Sequence, residues 1–296
     1  MEFNKYQHVE RLGTVETENI EIGECWLFPK LDGSNGQVWV NDNGKICCGS
    51  RNRELTLEND NQGFMAWVLE QDNIREFFSN YQNLRLFGEW LIPHTLRTYE
   101  QSAWKKFYVF DVMDANGNYL PYEVYKTILD AYDIEYIPPI CKIRNPTVER
   151  IVNQLEKNVY LIEDGKGAGE GIVIKNYNYR NKYGRQTWAK VVRNEFKAKH
   201  SKSQVTEVKE KIGVESAIVD KYVTESLVTK EFAKIENENG GWSSKMIPRL
   251  LNTVYYCLVK EESWNFIKEN KNPKIDFKRL MTLSFQKTKE LKPELF

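Results

Sequence analysis

The sequence predicts an α+β chain: antiparallel sheets with flanking helices over residues 1–200, followed by a small all-helical domain over residues 201–296. Three observations carry this. Short apolar segments rich in Val, Ile, Phe and Trp alternate with Gly-, Asn- and Asp-containing turns as far as Val192, the pattern of paired strands. Among them Phe64, Trp67, Val68, Ile74, Phe77 and Phe78 recur at helical spacing, which supplies helices to cover a sheet face. Beyond the basic stretch Lys197-Ala198-Lys199-His200-Ser201-Lys202, strand patterning stops and helical periods take over. A polar junction at such a change is where domains divide.

Residues 1–24 read as a strand or loop lead-in. Apolar Cys25-Trp26-Leu27-Phe28 then runs into Lys30-Leu31-Asp32-Gly33-Ser34-Asn35-Gly36 before the chain returns to Gln37-Val38-Trp39-Val40: strand, tight polar turn, strand. Such a turn sets the Lys30 amine at a sheet edge beside backbone N–H groups, which suits a phosphate, although Lys-x-Asp-Gly also occurs in plain solvated turns. Asn43-Gly44 predicts a hairpin over residues 39–48. Its second strand delivers Arg51 and Arg53, either phosphate or ribose contacts or an exposed basic turn. One or two helices fit residues 62–78. Residues 84–91 return to strand, with Glu89 following a glycine inside an apolar run; an acid there wants a cation or a sugar hydroxyl. Residues 105–113 form another strand whose Phe110 suits base stacking or core packing.

Helices over residues 122–131 and 146–155 flank an extended Ile137-Pro138-Pro139-Ile140. The glycine-rich run at residues 165–171 leads into the strand Ile172-Val173-Ile174-Lys175. A dinucleotide-binding loop needs a helix at that point, so this is not one. Glu170 stands at the strand mouth. It and Lys175 fall on opposite faces of an ideal strand, so a twist, a bulge or the strand end must bring both to one ligand. After a polar loop, residues 187–192 make a strand containing Lys190, whose amine either reaches a ligand or snorkels to water. In the C-terminal third, Val205, Val208 and Ile212 begin a helical rhythm that recurs over residues 216–235. Leu250, Val254 and Leu258 stand four apart, and Asn272-Pro273 breaks the chain before a helix over residues 276–291.

With 296 residues, 41% of them hydrophobic, the chain has enough apolar material for two domains. Basic and acidic residues balance at 42 each, so any nucleic-acid surface is a local patch. Aromatics reach 13%, which serves base stacking or a large aromatic core equally. The start lacks a signal-peptide pattern and no stretch approaches a membrane span, so the chain reads as intracellular and free of membrane. Five cysteines at irregular spacing read as reduced core thiols, and His8, His94 and His200 are too scattered for a zinc site.

Together, three lysines (Lys30, Lys175, Lys190), two carboxylates at strand mouths (Glu89, Glu170), an arginine pair and an aromatic carry chemistry that none has alone. Lysine is a poor nucleophile at its usual pKa of about 10.4. Neighbouring cations and a metal disfavour its protonated form, and the free amine can then attack phosphorus. The carboxylates hold a divalent ion while the remaining cations neutralise phosphoryl oxygens.

On Lys30-Leu31-Asp32-Gly33, Ser50-Arg51-Asn52-Arg53, Phe87-Gly88-Glu89-Trp90, Phe107-Tyr108-Val109-Phe110-Asp111, Glu170-Gly171-Ile172-Val173-Ile174-Lys175 and Trp188-Ala189-Lys190-Val191-Val192, the chain resembles the covalent nucleotidyltransferases. These six stretches stand in that superfamily's order, and the chain looks most like its nick-sealing RNA ligases of the phage type. The resemblance implies an N-terminal nucleotidyltransferase domain, ATP, and Mg2+ or Mn2+. It implies Lys30 as the residue that becomes Lys-AMP, with Lys175 and Lys190 on the α-phosphate and Arg51 on nucleotide or nucleic-acid phosphates. Glu89 would bind ribose and help with metal, Phe110 would stack on adenine, and Glu170 would serve the metal. Asp32 belongs to the nucleotide-binding turn, and Asn35 corresponds to an asparagine used in sealing. The last motif departs from the pattern: where a second lysine is expected, this chain has Val192, followed by Arg193.

The partner implied is RNA with 3′-OH and 5′-phosphate ends at a nick, received along Arg51, Arg53, Lys105, Lys106, Lys182 and Arg185 by a monomer. A helical tail, in place of the OB domain of DNA ligases and capping enzymes, favours RNA ligation over capping. A ligase for DNA or mixed breaks, and a catalytically silent end-binding protein, are the alternatives.

Overall fold

The computed structural model describes residues 1–93, 96–193 and 213–296. Contacts divide the chain into two units, Met1–Phe196 and Lys197–Phe296, each taken by itself below. The boundary expected at residue 200, the junction at residues 197–202 and the rhythm of Val205, Val208 and Ile212 lie outside the described residues, as do His94 and His200.

Alternation of side chains along strands sorts the first unit into layers. One sheet has the order β1 (Glu10–Arg11), β9 (Ala189–Val192), β8 (Gly171–Lys175), β2 (Glu24–Lys30), β7 (Cys141–Arg144); all its pairings are antiparallel except that of β1 with β9. On its outer face Cys25, Leu27, Ile172, Ile174 and Ala189 pack with Ile151 of α4 (Val148–Val152) into an aliphatic core. The alternate residues Phe28, Lys30, Val173, Lys175, Lys190 and Val192 therefore share the inner face.

The second sheet is antiparallel, in the order β4 (Ile46–Ser50), β3 (Ser34–Val40), β5 (Leu84–Trp90), β6 (Phe107–Asp114). The predicted hairpin joins β3 to β4, with Gly44 at φ 76° and the Asn41 side chain accepting from the Asn43 and Lys45 N–H groups. Residues 62–78 resolve into two helices, α1 (Phe64–Glu70) and α2 (Asp72–Asn80), that bury Phe64, Val68, Ile74 and Phe77 against Val38, Leu84, Leu86 and Val112. Strand β7 has no counterpart in the sequence reading, where only the extended segment before it stood out. Pairing of β5 with β6 slips at Phe87/Gly88, leaving Phe110 as an extra residue between Val109 and Asp111. Such a bulge turns both Phe110 and Asp111 toward the first sheet, and the Lys175 amine of β8 accordingly lies 2.7 Å from Asp111 Oδ1 and 5.8 Å from the Phe110 ring centre.

The second unit is helical throughout its described residues: α5 (Val214–Tyr222), α6 (Glu225–Glu238), α7 (Ile247–Glu269) and α8 (Phe277–Leu291). The rhythm over residues 216–235 breaks where the Thr224 hydroxyl accepts from the Leu227 N–H and caps α6. Asp276 caps α8 by accepting from the Lys278 and Arg279 N–H groups. Ile218, Val228, Leu250, Val254, Leu258, Phe266 and Leu280 form its core. No described helix is long and apolar enough to cross a membrane.

Candidate active site around Lys30

Lys30 ends β2, on the inner face, on one rung with Gly171 of β8 and Val192 of β9. Its Nζ lies 2.6 Å from Glu170 Oε2, with the lysine side chain 24% exposed and the carboxylate 10%. Glu170 immediately precedes β8, so the strand end is what turns it toward the lysine. Gly171 cannot be another residue, because a Cβ there would stand 2.2 Å from the Val191 carbonyl oxygen.

The acid from the second sheet arrives through the lysine's own turn. The Gly33 N–H donates to Glu89 Oε1 at 2.8 Å, and a Cβ on Gly33 would meet Trp90 O at 2.5 Å, so glycine is what allows this approach. Burial pushes the Glu89 carboxyl up to about 7; Glu170 and Asp32 add to the rise, while Lys30 and the Gly33 N–H oppose it. Asn35 is level with Glu89 across β3 and β5, and its buried Oδ1 has no hydrogen-bond partner. Lys30, Glu170, Glu89 and Asn35 thus converge. Among the described residues no three Asp, Glu, His or Cys side chains gather into a metal cage. Two carboxylates without a cage suit a hard cation that draws its other ligands from phosphate oxygens and water.

Asp32 works behind the turn. Its carboxylate accepts from the Leu96 N–H at 2.7 Å, its N–H donates to the Tyr99 hydroxyl at 2.9 Å, and it is buried, so it pins the Lys30 loop to the segment after β5. Lys190 is half-buried on the inner face opposite Val173. Arg51 Nη2 lies 2.9 Å from His8 Nδ1 at the end of β4, whereas Arg53 donates to the carbonyls of Asn59 and Asp60 in its own loop.

A family model for RNA ligase matches residues 23–192, more than half of the chain. The chain belongs to the RNA ligase family. Its fold is similar to that of the Naegleria gruberi RNA ligase solved with PPi, at TM-score 0.51 and 22% identity over 67% of this chain and 58% of that one. A variant of the same ligase solved with ATP and Mn gives TM-score 0.51, 22% identity and the same coverage. The chain therefore spans 58% of the length of the Naegleria ligase it matches. Comparison with curated protein sequences found no match. The stretch matched by the RNA ligase family contains Lys30, Arg51, Glu89, Phe110, Glu170, Lys175 and Lys190; the helical unit follows it.

Lys175 and Arg193 each have partners away from Lys30. Lys175 pairs with Trp26, four positions along β2 from Lys30, about 13 Å at strand rise. Its amine lies 2.7 Å from Asp111 Oδ1, donates to the Phe110 carbonyl and is 2% exposed; burial lowers its pKa while Asp111 opposes the fall. The structure brings it beneath Phe110, not beside Lys30. Arg193, which follows Val192, directs its guanidinium to both Glu156 carboxylate oxygens, at 2.9 and 3.2 Å, and to the Ala168 carbonyl.

Of the basic path, Lys182 lines a pocket with Gly23, Glu24, Asn176 and Tyr179, at the start of β2 and so at the opposite end of that strand from Lys30. Sequence reasoning gave no role to Asp111, which accepts from the Tyr6 hydroxyl at 2.6 Å, Trp188 Nε1 at 3.1 Å and Lys175. An acid flanked by apolar residues in a strand was the signal available.

Proposed function

We propose that this chain is an ATP-dependent RNA ligase that joins 3′-OH and 5′-phosphate ends, acting as an intracellular monomer on nicked duplex RNA. The observation that supports it is the Lys30 amine at the end of β2, paired with Glu170 at 2.6 Å and joined through the Gly33 N–H to Glu89. Taken up by a divalent ion arriving with the nucleotide, the two carboxylates would release the Lys30 amine from its ion pair for attack.

In the first transfer Lys30 Nζ, freed of its proton, bonds the α-phosphorus of ATP; the bond to the bridging oxygen breaks, and pyrophosphate leaves with that electron pair. In the second, an oxygen of the RNA 5′-phosphate attacks the same phosphorus, the P–N bond breaks, and the amine regains a proton. In the third, the 3′-OH loses its proton and attacks the activated 5′-phosphate, expelling AMP. A divalent ion held by Glu89 and Glu170 would supply charge neutralisation at the phosphoryl oxygens. Asn35 would meet the nick, Lys190 the α-phosphate and Arg51 a backbone or nucleotide phosphate. Phe110 would take the adenine face, Asp32 would hold the nucleophile turn, and Lys175 would act by supporting Phe110 from below.

Purified protein incubated with α-labelled ATP and Mn2+ is expected to carry covalent label, lost in Lys30→Ala, that passes to a 5′-phosphorylated RNA nick. No label with ATP or GTP, on folded protein free of prior adenylylation, overturns the reading in favour of a silent end-binding protein. Matched RNA and DNA nicks separate the ligase from one that prefers DNA or mixed breaks.

A further inference from the structure

We propose that Asn158 and Arg193 are positioning residues that hold the Glu170 carboxylate against Lys30. Glu170 follows a run in which Gly165 and Gly167 take φ of 73° and 94°, and contacts from distant parts of the chain reach the backbone around it. Three hydrogen bonds tie consecutive residues there. Two run between main chains, from the Gly169 N–H to the Asn158 carbonyl at 2.7 Å and from the Arg193 N–H to the Glu170 carbonyl at 2.9 Å; the third comes from a side chain, Asn158 Nδ2 donating to the Gly171 carbonyl at 2.6 Å. The Arg193 guanidinium adds a fourth tie, to Ala168 O at 3.2 Å, and is itself braced by Glu156.

Asn158 is 1% exposed and its Oδ1 is buried without a partner. Burying an amide while leaving its oxygen unsatisfied is costly, so the donor end is what the position uses. The fit is close enough that a Cβ on Gly169 would stand 2.6 Å from Asn158 Nδ2. This also gives Arg193 a function in the departing last motif: it supports a carboxylate in place of contacting phosphate.

The consequence for catalysis rests on the ligase reading, but the geometry can be tested without ATP or metal. Full-length, metal-free protein would be treated with an amine-acylating reagent and Lys30 modification timed by peptide mass spectrometry. Glu170→Gln, which removes the ion pair, sets the scale. Asn158→Asp keeps size and loses the donor, and Arg193→Ala frees the Ala168 carbonyl while leaving only an exposed Glu156 behind. Both are expected to acylate Lys30 about two- to fivefold faster than the parent, the range set by losing a partly exposed ion pair. With Mn2+ and ATP, both should raise the metal concentration needed for half-maximal lysyl-AMP while leaving the KM for ATP nearly unchanged. Parent-like acylation in Arg193→Ala, or in a folded Asn158→Asp, overturns the inference, as does an unchanged rate in Glu170→Gln. Should Asn158→Asp not fold, Arg193→Ala decides. Absence of ATP labelling in the parent, with faster acylation in the variants, would fault the ligase reading alone.

Discussion

The two faces of the five-stranded sheet are made from the same strands and differ in almost everything else. Outward, Leu27, Ile172, Ile174 and Ala189 meet α4 and exclude water; inward, the very next residues along β2, β8 and β9 include Lys30, Lys175 and Lys190. The outer face is interchangeable aliphatic packing, in which a lost methyl costs stability. The inner face pairs Lys30 with Glu170 and Lys175 with Asp111, and a lost group there leaves an uncompensated charge or removes a part of the proposed chemistry.

Lys175→Met tests the contrast hardest. It leaves Asp111 buried with only the Tyr6 and Trp188 donors, and the expected loss is about 3–5 kcal/mol by urea unfolding. Adding Asp111→Asn should recover part of it, whereas full stability in the single variant would place the amine elsewhere. On the outer face, Ile172→Ala should cost about 2–4 kcal/mol yet leave lysyl-AMP formation per folded molecule unchanged; a parallel fall in both would mean that the faces are not independent.

Glu89→Gln carries a pH signature. Burial raises this carboxyl from an ordinary 4.5 to about 7, so its ionised form disfavours the fold. That penalty is absent below about 4.5, grows as pH rises and is complete above about 7. The amide should therefore stabilise metal-free protein by on the order of 1–3 kcal/mol at pH 8 and by little at pH 4. Thermal melts of the two proteins across that interval check the sign. The smallest effect is expected from Val192→Lys, which returns a cation to the inner face beside Gly171; a drop in the KM for ATP of about two- to fivefold would show that the missing charge matters.

Much of this was legible because strand period and turn chemistry are local. The Asn43-Gly44 hairpin, the strand ending at Lys30, the paired helices of residues 64–80 and the helical character from residue 214 onward all follow from neighbours in sequence. What was not legible depends on register between distant strands. Glu170 and Lys175 share a strand segment, yet only the pairing with β2 reveals that the first meets Lys30 and the second sits four positions away under Phe110. The bulge at Phe110, the Asp111 network and Asn158's grip on Gly171 involve residue types that a sequence scan passes over, because their significance lies in a partner tens of residues away.

The Lys30–Glu170 pair joins residues 140 positions apart, and this has a consequence for synthesis. At about 5–20 residues per second, β2 waits on the order of ten seconds on the ribosome before its neighbour β8 exists. Until β7 (Cys141–Arg144) emerges, late in that interval, β2 has no strand of its own sheet to pair with, so a chaperone or a slow-translating stretch would find its substrate here. Lys30 is also among the last parts of its unit to acquire a partner, and a nascent chain cut off before β8 has the lysine without the carboxylate that holds it.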